Sequence, residues 1–129
     1  GKKQPMEEKK RVVVFDDDKD LLDIYSFIFE EEGWEVHTSQ SCDQVLEIVA
    51  DLSPHLILMD NWIPNIGGMA ATQLLKNDPQ LQRIPVMYIS ANNEVAALSK
   101  KAGADGFIAK PFDFDQLMEL SESLLNKQP

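Results

Sequence analysis

The chain has 129 residues, 43% of them apolar and 26% charged, so it is long enough to bury one core without disulfides or structural metals. Its 12 basic and 22 acidic residues give a net charge of −10, and such a surface repels phosphate backbones and anionic lipids, which argues against direct nucleic-acid or membrane binding. No apolar run reaches the roughly 18 residues that a membrane span requires. The single cysteine excludes an intramolecular disulfide and favours a cytoplasmic location.

The first residues differ in composition from the rest of the chain. Residues 1–9 are rich in charge, poor in apolar side chains and contain Pro5. We expect them to form a disordered lead-in, or a cloning remnant ahead of Met6. Residues 10–127 are predicted to form a single domain.

Five short apolar runs predict β-strands. Most are continuous rather than alternating, as is typical of parallel strands that are covered on both faces. The runs are RVVVF (residues 11–15), WEVH (34–37), HLILM (55–59), IPVMYI (84–89) and GFIA (106–109). Because parallel pairing requires crossover connections, the segments between the runs are expected to be helical.

Amphipathic patterns and capping signals support these helices. Asp18 is expected to cap the first helix, and Gly33 to end it. Ser41 and Asp113 each precede a glutamine by three residues, a pattern typical of the start of a helix. The predicted helices cover residues 19–32, 41–52, 69–76, 95–101 and 113–125.

The fivefold alternation of strand and helix favours an α/β fold with an open, doubly wound parallel sheet. Ligands bind such sheets beyond the carboxyl ends of the strands. The side chains expected at this edge are polar: Asp16, Asp17 and Asp18 after the first run, Asp60 after the third, Ser90 after the fourth and Lys110 after the fifth. If these strand ends converge, the acids, a hydroxyl and an ammonium group share one site.

Such a cluster of acids requires a cation. Two carboxylates about 5 Å apart repel each other by about 3 kcal/mol at an effective dielectric constant of about 20. Lys110 supplies one positive charge, which is too few, and Mg²⁺ is the natural addition because it prefers oxygen ligands. Carboxylates, a lysine and a hydroxyl around a metal ion suit phosphoryl transfer to an aspartate.

Four separated motifs extend this reading: FDDD (residues 15–18), LILMDNWIPNIGG (56–68), IPVMYISA (84–91) and GFIAKPF (106–112). Together they resemble the receiver domain of two-component response regulators, such as the chemotaxis response regulator, over about Lys10 to Asn126. The resemblance implies a flavodoxin-like (βα)5 fold with strand order 2-1-3-4-5. It also implies a phosphorylation-activated signalling switch rather than an enzyme.

The resemblance implies partners as well. The phosphoryl group would come from a phosphohistidine on a histidine kinase or a histidine phosphotransfer protein. The face formed by the fourth helix, the fifth strand and the fifth helix would then change shape. A downstream output domain or effector protein would read that face, which is also a possible dimer interface.

The resemblance assigns roles to individual residues. Asp60 matches the phosphoacceptor. Asp16 and Asp17 match the acidic pair that binds Mg²⁺ or Mn²⁺, together with Asp60 and the backbone carbonyl of Trp62. Ser90 and Lys110 match the hydroxyl and lysine positions of the family, which with Asp60 form the catalytic residues of phosphoryl transfer.

Ser90 and Phe107 match the two switch positions of the family. Pro111 is expected to follow a cis peptide bond. Phe107 lacks the hydroxyl of a tyrosine, so any switching must act through packing. Trp62 is bulky at a variable position, and we expect it to shield a phosphorylated Asp60 from water.

Two other functions remain open on the sequence. In a haloacid-dehalogenase-type phosphatase Asp16 would be the nucleophile and Asp18 the general acid, but Lys19-Asp20 stands where those enzymes have Gly-Thr. In a pseudo-receiver the domain would bind partners without being phosphorylated, although all four reactive positions are intact. His37 and His55 stand apart from any cysteine cluster and are expected to be ordinary histidines.

Overall fold

The structure is a computed structural model that describes residues 9–127. The predicted lead-in therefore lies outside the described residues, except for Lys9, which is exposed. Five parallel strands form one sheet in the order β2-β1-β3-β4-β5. They are β1 (Arg11–Phe15), β2 (Glu35–Ser39), β3 (Leu56–Asp60), β4 (Val86–Ser90) and β5 (Gly106–Ala109). The predicted doubly wound fold and its strand order are confirmed.

Five helices connect the strands. They are α1 (Lys19–Glu31), α2 (Val45–Leu52), α3 (Gly68–Asn77), α4 (Val95–Ala102) and α5 (Phe114–Asn126). The Asp18 carboxylate caps α1 by accepting the N–H groups of Asp20 and Leu21. Asp113 caps α5 in the same way through the N–H of Gln116. None of the described helices has the length and apolar composition that a bilayer crossing requires.

The prediction that α2 begins at Ser41 is wrong, because the helix starts at Val45. The Ser41 hydroxyl instead accepts the N–H of Asp43 in a turn. Cys42 lies between them and is fully buried, with its Sγ 3.6 Å from the Sδ of Met59. The carbonyl of Cys42 accepts the N–H of Val45 at 3.1 Å, so a turn through Asp43 and Gln44 precedes the helix.

The core consists of two layers, one on each face of the sheet. Successive residues of a strand point to opposite faces, so the continuous apolar runs supply both layers. Val14 and Leu58 face α1 and α5, whereas Phe15, Met59 and Tyr88 face α2, α3 and α4. By the same alternation, Asp16 and Asp60 follow Val14 and Leu58 on the α1 and α5 side.

The carboxyl ends of the strands form one edge of the sheet. Asp60 and Ser90, which the sequence places after their strands, are the last residues of β3 and β4. The fifth strand lies at the margin of the sheet and pairs with β4, with Tyr88 opposite Phe107.

Candidate functional site

Three carboxylates meet at the carboxyl edge of β1 and β3. Asp16 and Asp60 are almost completely buried, at 1% and 6% exposure, and Asp17 is half-buried. One carboxylate oxygen from each residue lies within 4.8 Å of the others. At that separation each pair of charges repels by about 3 kcal/mol at an effective dielectric constant of about 20. The predicted convergence of acids is therefore present.

Lys110 is the cation that faces these acids. Its Nζ lies 2.6 Å from Oδ1 of Asp60 and 3.4 Å from Oδ2 of Asp16. Lys110 directly follows β5, and its backbone N–H donates to the carbonyl of Ser90 at 3.0 Å, which fixes the position from which the side chain extends. The peptide bond between Lys110 and Pro111 is cis, as expected.

Burial and the charges of the site together shift the pKa values of Asp16 and Lys110. Burial raises the pKa of Asp16 above its usual value, and the charge of Asp60 adds to this, while the N–H of Asp18 and the ammonium of Lys110 oppose it. Burial alone lowers the pKa of Lys110, but the hydrogen bond and the charge of Asp60, with those of Asp16, outweigh that effect and raise it overall. The site thus holds a firmly protonated lysine beside an acid that burial makes harder to ionise.

The second oxygen of Asp60 is held by the loop that follows it. The backbone N–H of Trp62 donates to Oδ2 of Asp60 at 2.9 Å. The loop returns at Gly68, whose N–H donates to the carbonyl of Asn61 at 3.2 Å. A Cβ on Gly68 would lie only 1.9 Å from the backbone oxygen of Asp60, so this position requires glycine.

Ser90 lies beside a cavity of about 290 Å³ above Asp60. Its Oγ accepts the N–H of Asn92 at 2.9 Å and keeps its own hydrogen to donate. The cavity is lined by Asp60, Asn61, Trp62, Ser90, Ala91, Asn92 and Lys110. An aspartate, a hydroxyl donor and an ammonium group therefore open into one space.

The other predicted site residues lie around this centre. The indole of Trp62 is 68% exposed, and Phe107 is 46% exposed on β5, away from the residues that line the cavity. The Asp18 carboxylate is engaged as the cap of α1 and is not part of the three-carboxylate cluster.

Sequence reasoning missed one pair in the site. The hydroxyl of Tyr88 donates to Oδ1 of Asn61, the residue directly after Asp60. Tyr88 lies in the fourth apolar run, which the sequence marks only as a strand. The available signal was its position two residues before Ser90, which places both side chains on the same face of β4.

The donor set fits a hard divalent cation. Three carboxylates converge within 4.8 Å of one another, and Lys110 is their nearest counter-charge among the described residues. Oxygen-only ligands at such spacing are those that Mg²⁺ or Mn²⁺ prefers. The arrangement can hold a metal ion beside a nucleophilic carboxylate.

Comparison with known proteins agrees with this geometry. Residues 12–122 match the family model described as response regulator receiver domain. The chain is 30% identical to the CAI-1 autoinducer sensor kinase/phosphatase CqsS of Vibrio cholerae, over 89% of this chain and 17% of that protein. It is 27% identical to the polar-differentiation response regulator DivK of Brucella ovis, over 90% of this chain and 96% of that protein.

A solved structure gives the same result. The receiver domain of NtrX from Brucella abortus superposes with a TM-score of 0.81 at 32% identity, covering 90% of this chain and 98% of that one. The chain spans 17% to 49% of the length of four curated relatives, CqsS among them. The chain belongs to the response regulator receiver domain family, whose members are phosphorylation-activated signalling switches and not classical enzymes.

Proposed function

We propose that this domain, residues 10–127, is switched by transfer of a phosphoryl group from a phosphohistidine to Asp60. The observation that carries the proposal is the environment of the Asp60 carboxylate. It is buried at the edge of a cavity, bonded to Lys110 and clustered with Asp16 and Asp17. In-line attack on phosphorus requires such a positioned anion with a cation next to it.

We propose that Asp16, Asp17 and Asp60, with the backbone carbonyl of Trp62, hold Mg²⁺ or Mn²⁺. When bound, the metal ion neutralises the acid cluster and the charge of the phosphoryl oxygens. The clustering of three carboxylates against one lysine supports this assignment.

The transfer itself uses residues of the chain. An oxygen of Asp60 forms the new P–O bond as the P–N bond of the phosphohistidine breaks, and the electron pair of the broken bond stays on the imidazole nitrogen. In the resting site both Asp60 oxygens accept hydrogen bonds, one from Lys110 and one from the Trp62 N–H. The oxygen that attacks must therefore lose its hydrogen bond. Lys110 can then move its ammonium group from Asp60 to a phosphoryl oxygen, where the negative charge now lies. Water later hydrolyses the acyl phosphate and resets the domain.

The response then passes to another surface. Ser90 moves its hydroxyl towards the phosphoryl group, and Phe107 repacks into the space that this movement vacates. The face of α4, β5 and α5 changes, and a downstream output domain, an effector or a second copy of the domain reads it. The half-exposed ring of Phe107 on the marginal strand supports this route, because such a ring can repack at little cost.

The partners follow from the same chemistry. A histidine kinase or a histidine phosphotransfer protein is the expected donor, and two curated relatives of this chain, CqsS and DivK, are named as a sensor kinase/phosphatase and a response regulator. The net charge of −10 makes protein partners more favourable than nucleic acid.

The test is to treat the protein with acetyl phosphate and Mg²⁺ and map the acyl phosphate by peptide mass spectrometry. We expect the modification on Asp60, and none in an Asp60→Asn variant. Modification of Asp16 instead would support the phosphatase alternative. If the protein neither accepts phosphate nor binds beryllofluoride with Mg²⁺, the domain is a pseudo-receiver.

A further inference from the structure

A hydrogen bond joins Tyr88 of β4 to Asn61, the residue that follows β3. Tyr88 is fully buried in β4, and Asn61 follows the end of β3 on the same face of the sheet. The phenol hydroxyl donates to Oδ1 of Asn61. Burial raises the pKa of Tyr88 to about 12, and the nearby charge of Asp60 adds to this, so the hydroxyl keeps its proton at neutral pH.

This contact determines which polar atom of the Asn61 amide is available to bind a ligand. With Oδ1 occupied by Tyr88, the remaining polar group is Nδ2, which carries two N–H donors. Asn61 is half-buried and lines the cavity with Asp60, Ser90 and Lys110. Within residues 9–127 Nδ2 donates to no acceptor. A fully buried Nδ2 without a partner would count among the unsatisfied buried polar atoms, and it does not. Its N–H groups are therefore accessible.

A phosphoryl group in this cavity needs donors that bring no further negative charge. Its charge is spread over three oxygens, and Lys110 is shared between Asp60 and Asp16. Ser90 can offer one O–H. A neutral amide with two N–H groups at the same cavity is therefore suited to a phosphoryl oxygen.

We propose that Asn61 is a further phosphoryl-binding residue, whose side-chain amide, held by Tyr88, donates a hydrogen bond to the phosphoryl group on Asp60. This inference rests on the proposed function of Asp60. Tyr88 is a positioning residue, since it acts through Asn61 and does not reach the phosphoryl group itself.

Variants separate the roles of the two side chains. Asn61→Ala removes the amide, and Asn61→Asp keeps an acceptor for Tyr88 but turns a carboxylate oxygen towards the cavity. Tyr88→Phe keeps the buried ring and frees the amide to rotate. Asn93→Ala is the matched control, because Asn93 is an exposed asparagine in the nearby loop that does not line the cavity.

The measurement is a titration of each protein with beryllofluoride in saturating Mg²⁺, followed by ¹⁹F NMR. Loss of a hydrogen bond to a charged group should weaken beryllofluoride binding by about tenfold or more in Asn61→Ala. Asn61→Asp should bind more weakly still, Tyr88→Phe should lie between Asn61→Ala and the parent, and Asn93→Ala should match the parent. Mg²⁺ affinity without beryllofluoride should stay near the parent value in Asn61→Ala.

Two results overturn the inference while the proposed function stands. One is parental beryllofluoride affinity in Asn61→Ala. The other is an equal loss of Mg²⁺ and beryllofluoride affinity in that variant, which would show a general distortion of the loop. If the parent protein itself fails to bind beryllofluoride, the proposed function and this inference fall together.

Discussion

The ammonium group of Lys110 bridges carboxylates from two different strands, at 2.6 Å from Asp60 and 3.4 Å from Asp16. In the resting domain this single cation balances part of the acid cluster from within the protein. Under the proposed function the same group also binds the phosphoryl group once transfer begins. We therefore expect both stability and phosphotransfer to depend on this side chain.

Replacing Lys110 with methionine should separate these two contributions. We expect the free energy of unfolding of the metal-free protein to fall by about 1–3 kcal/mol, because a largely buried partner of two acids is lost. The rate of phosphorylation by acetyl phosphate should fall on the order of 100-fold, the usual effect of removing one charge-stabilising donor. Urea unfolding and intact-mass kinetics measure the two effects. Lys101→Met, on an exposed position of α4, is the control, and a parental rate in Lys110→Met would contradict the prediction.

Asp16→Asn should stabilise the metal-free protein at neutral pH. Burial raises the pKa of Asp16, so the folded state holds this proton to higher pH than the unfolded state does. Without metal, the contribution of Asp16 to the free energy of unfolding therefore falls as pH rises above the ordinary aspartate pKa of 3.8 and through the raised pKa. Asparagine does not ionise and avoids this loss. We therefore expect the free energy of unfolding of Asp16→Asn to exceed that of the parent by on the order of 1 kcal/mol at a pH of about 7.

Urea unfolding of both proteins at acidic and neutral pH, with EDTA or with Mg²⁺, measures this effect. The gain should shrink at acidic pH, where Asp16 is protonated. Mg²⁺ at about 100 times its dissociation constant should stabilise the parent by about 2.7 kcal/mol and the variant much less. Equal stabilisation of both proteins by Mg²⁺ would exclude Asp16 as a ligand.

Gly67 and Gly68 should respond to substitution in opposite ways. Gly68→Ala forces a methyl group against the Asp60 carbonyl and should cost about 2 kcal/mol or more. Gly67 has space around its Cα and caps α3 without a side-chain hydrogen bond. Gly67→Asp should therefore add a cap and stabilise the protein by about 0.5 kcal/mol. Thermal unfolding of both variants checks the contrast, and equal effects would show that the loop adapts freely.

The Cys42 thiol should make the protein less stable at alkaline pH. Burial raises the pKa of Cys42 to about 12, with smaller contributions from the charges of Asp43 and Asp60. The thiol of the unfolded chain loses its proton above the ordinary cysteine pKa of 9.0, whereas the buried thiol of the folded protein keeps it. The free energy of unfolding should fall by up to about 1.4 kcal/mol per pH unit above this point. Cys42→Ala should lack this component, and identical pH profiles of the two proteins would refute it.

Trp62 should slow the loss of phosphate from Asp60. It follows Asp60 by two residues and lines the cavity, where a large side chain limits the approach of water. Trp62→Asn should lose phosphate several-fold faster than the parent after acetyl phosphate is removed, as followed by intact mass. Trp62→Phe should stay closer to the parent, and an asparagine variant that loses phosphate no faster would count against shielding.

The sequence predicted most of the fold because its signals are local. Continuous apolar runs located all five strands within two residues, and Asp18 and Asp113 marked the starts of α1 and α5. The convergence of Asp16, Asp60 and Lys110 was also predictable, since parallel strands place their carboxyl ends at one edge.

What the sequence did not reveal depends on contacts between distant residues. A good capping pattern at Ser41 does not start α2, because Cys42 is buried against Met59 and a turn follows it before Val45. The hydrogen bond between Tyr88 and Asn61 joins β4 to the loop after β3, and the sequence around either residue does not indicate the other as its partner. Tertiary packing decided both features.

The marginal position of β5 has a mechanical consequence. Shifting β1 or β3 would strain two ladders of interstrand hydrogen bonds, whereas β5 is tied to the sheet through β4 alone. Displacing the four residues of β5 therefore breaks one ladder of hydrogen bonds rather than two. Ala109 of β5 pairs with Ser90, so under the proposed function we expect a change at Ser90 to reach a partner protein through this edge strand.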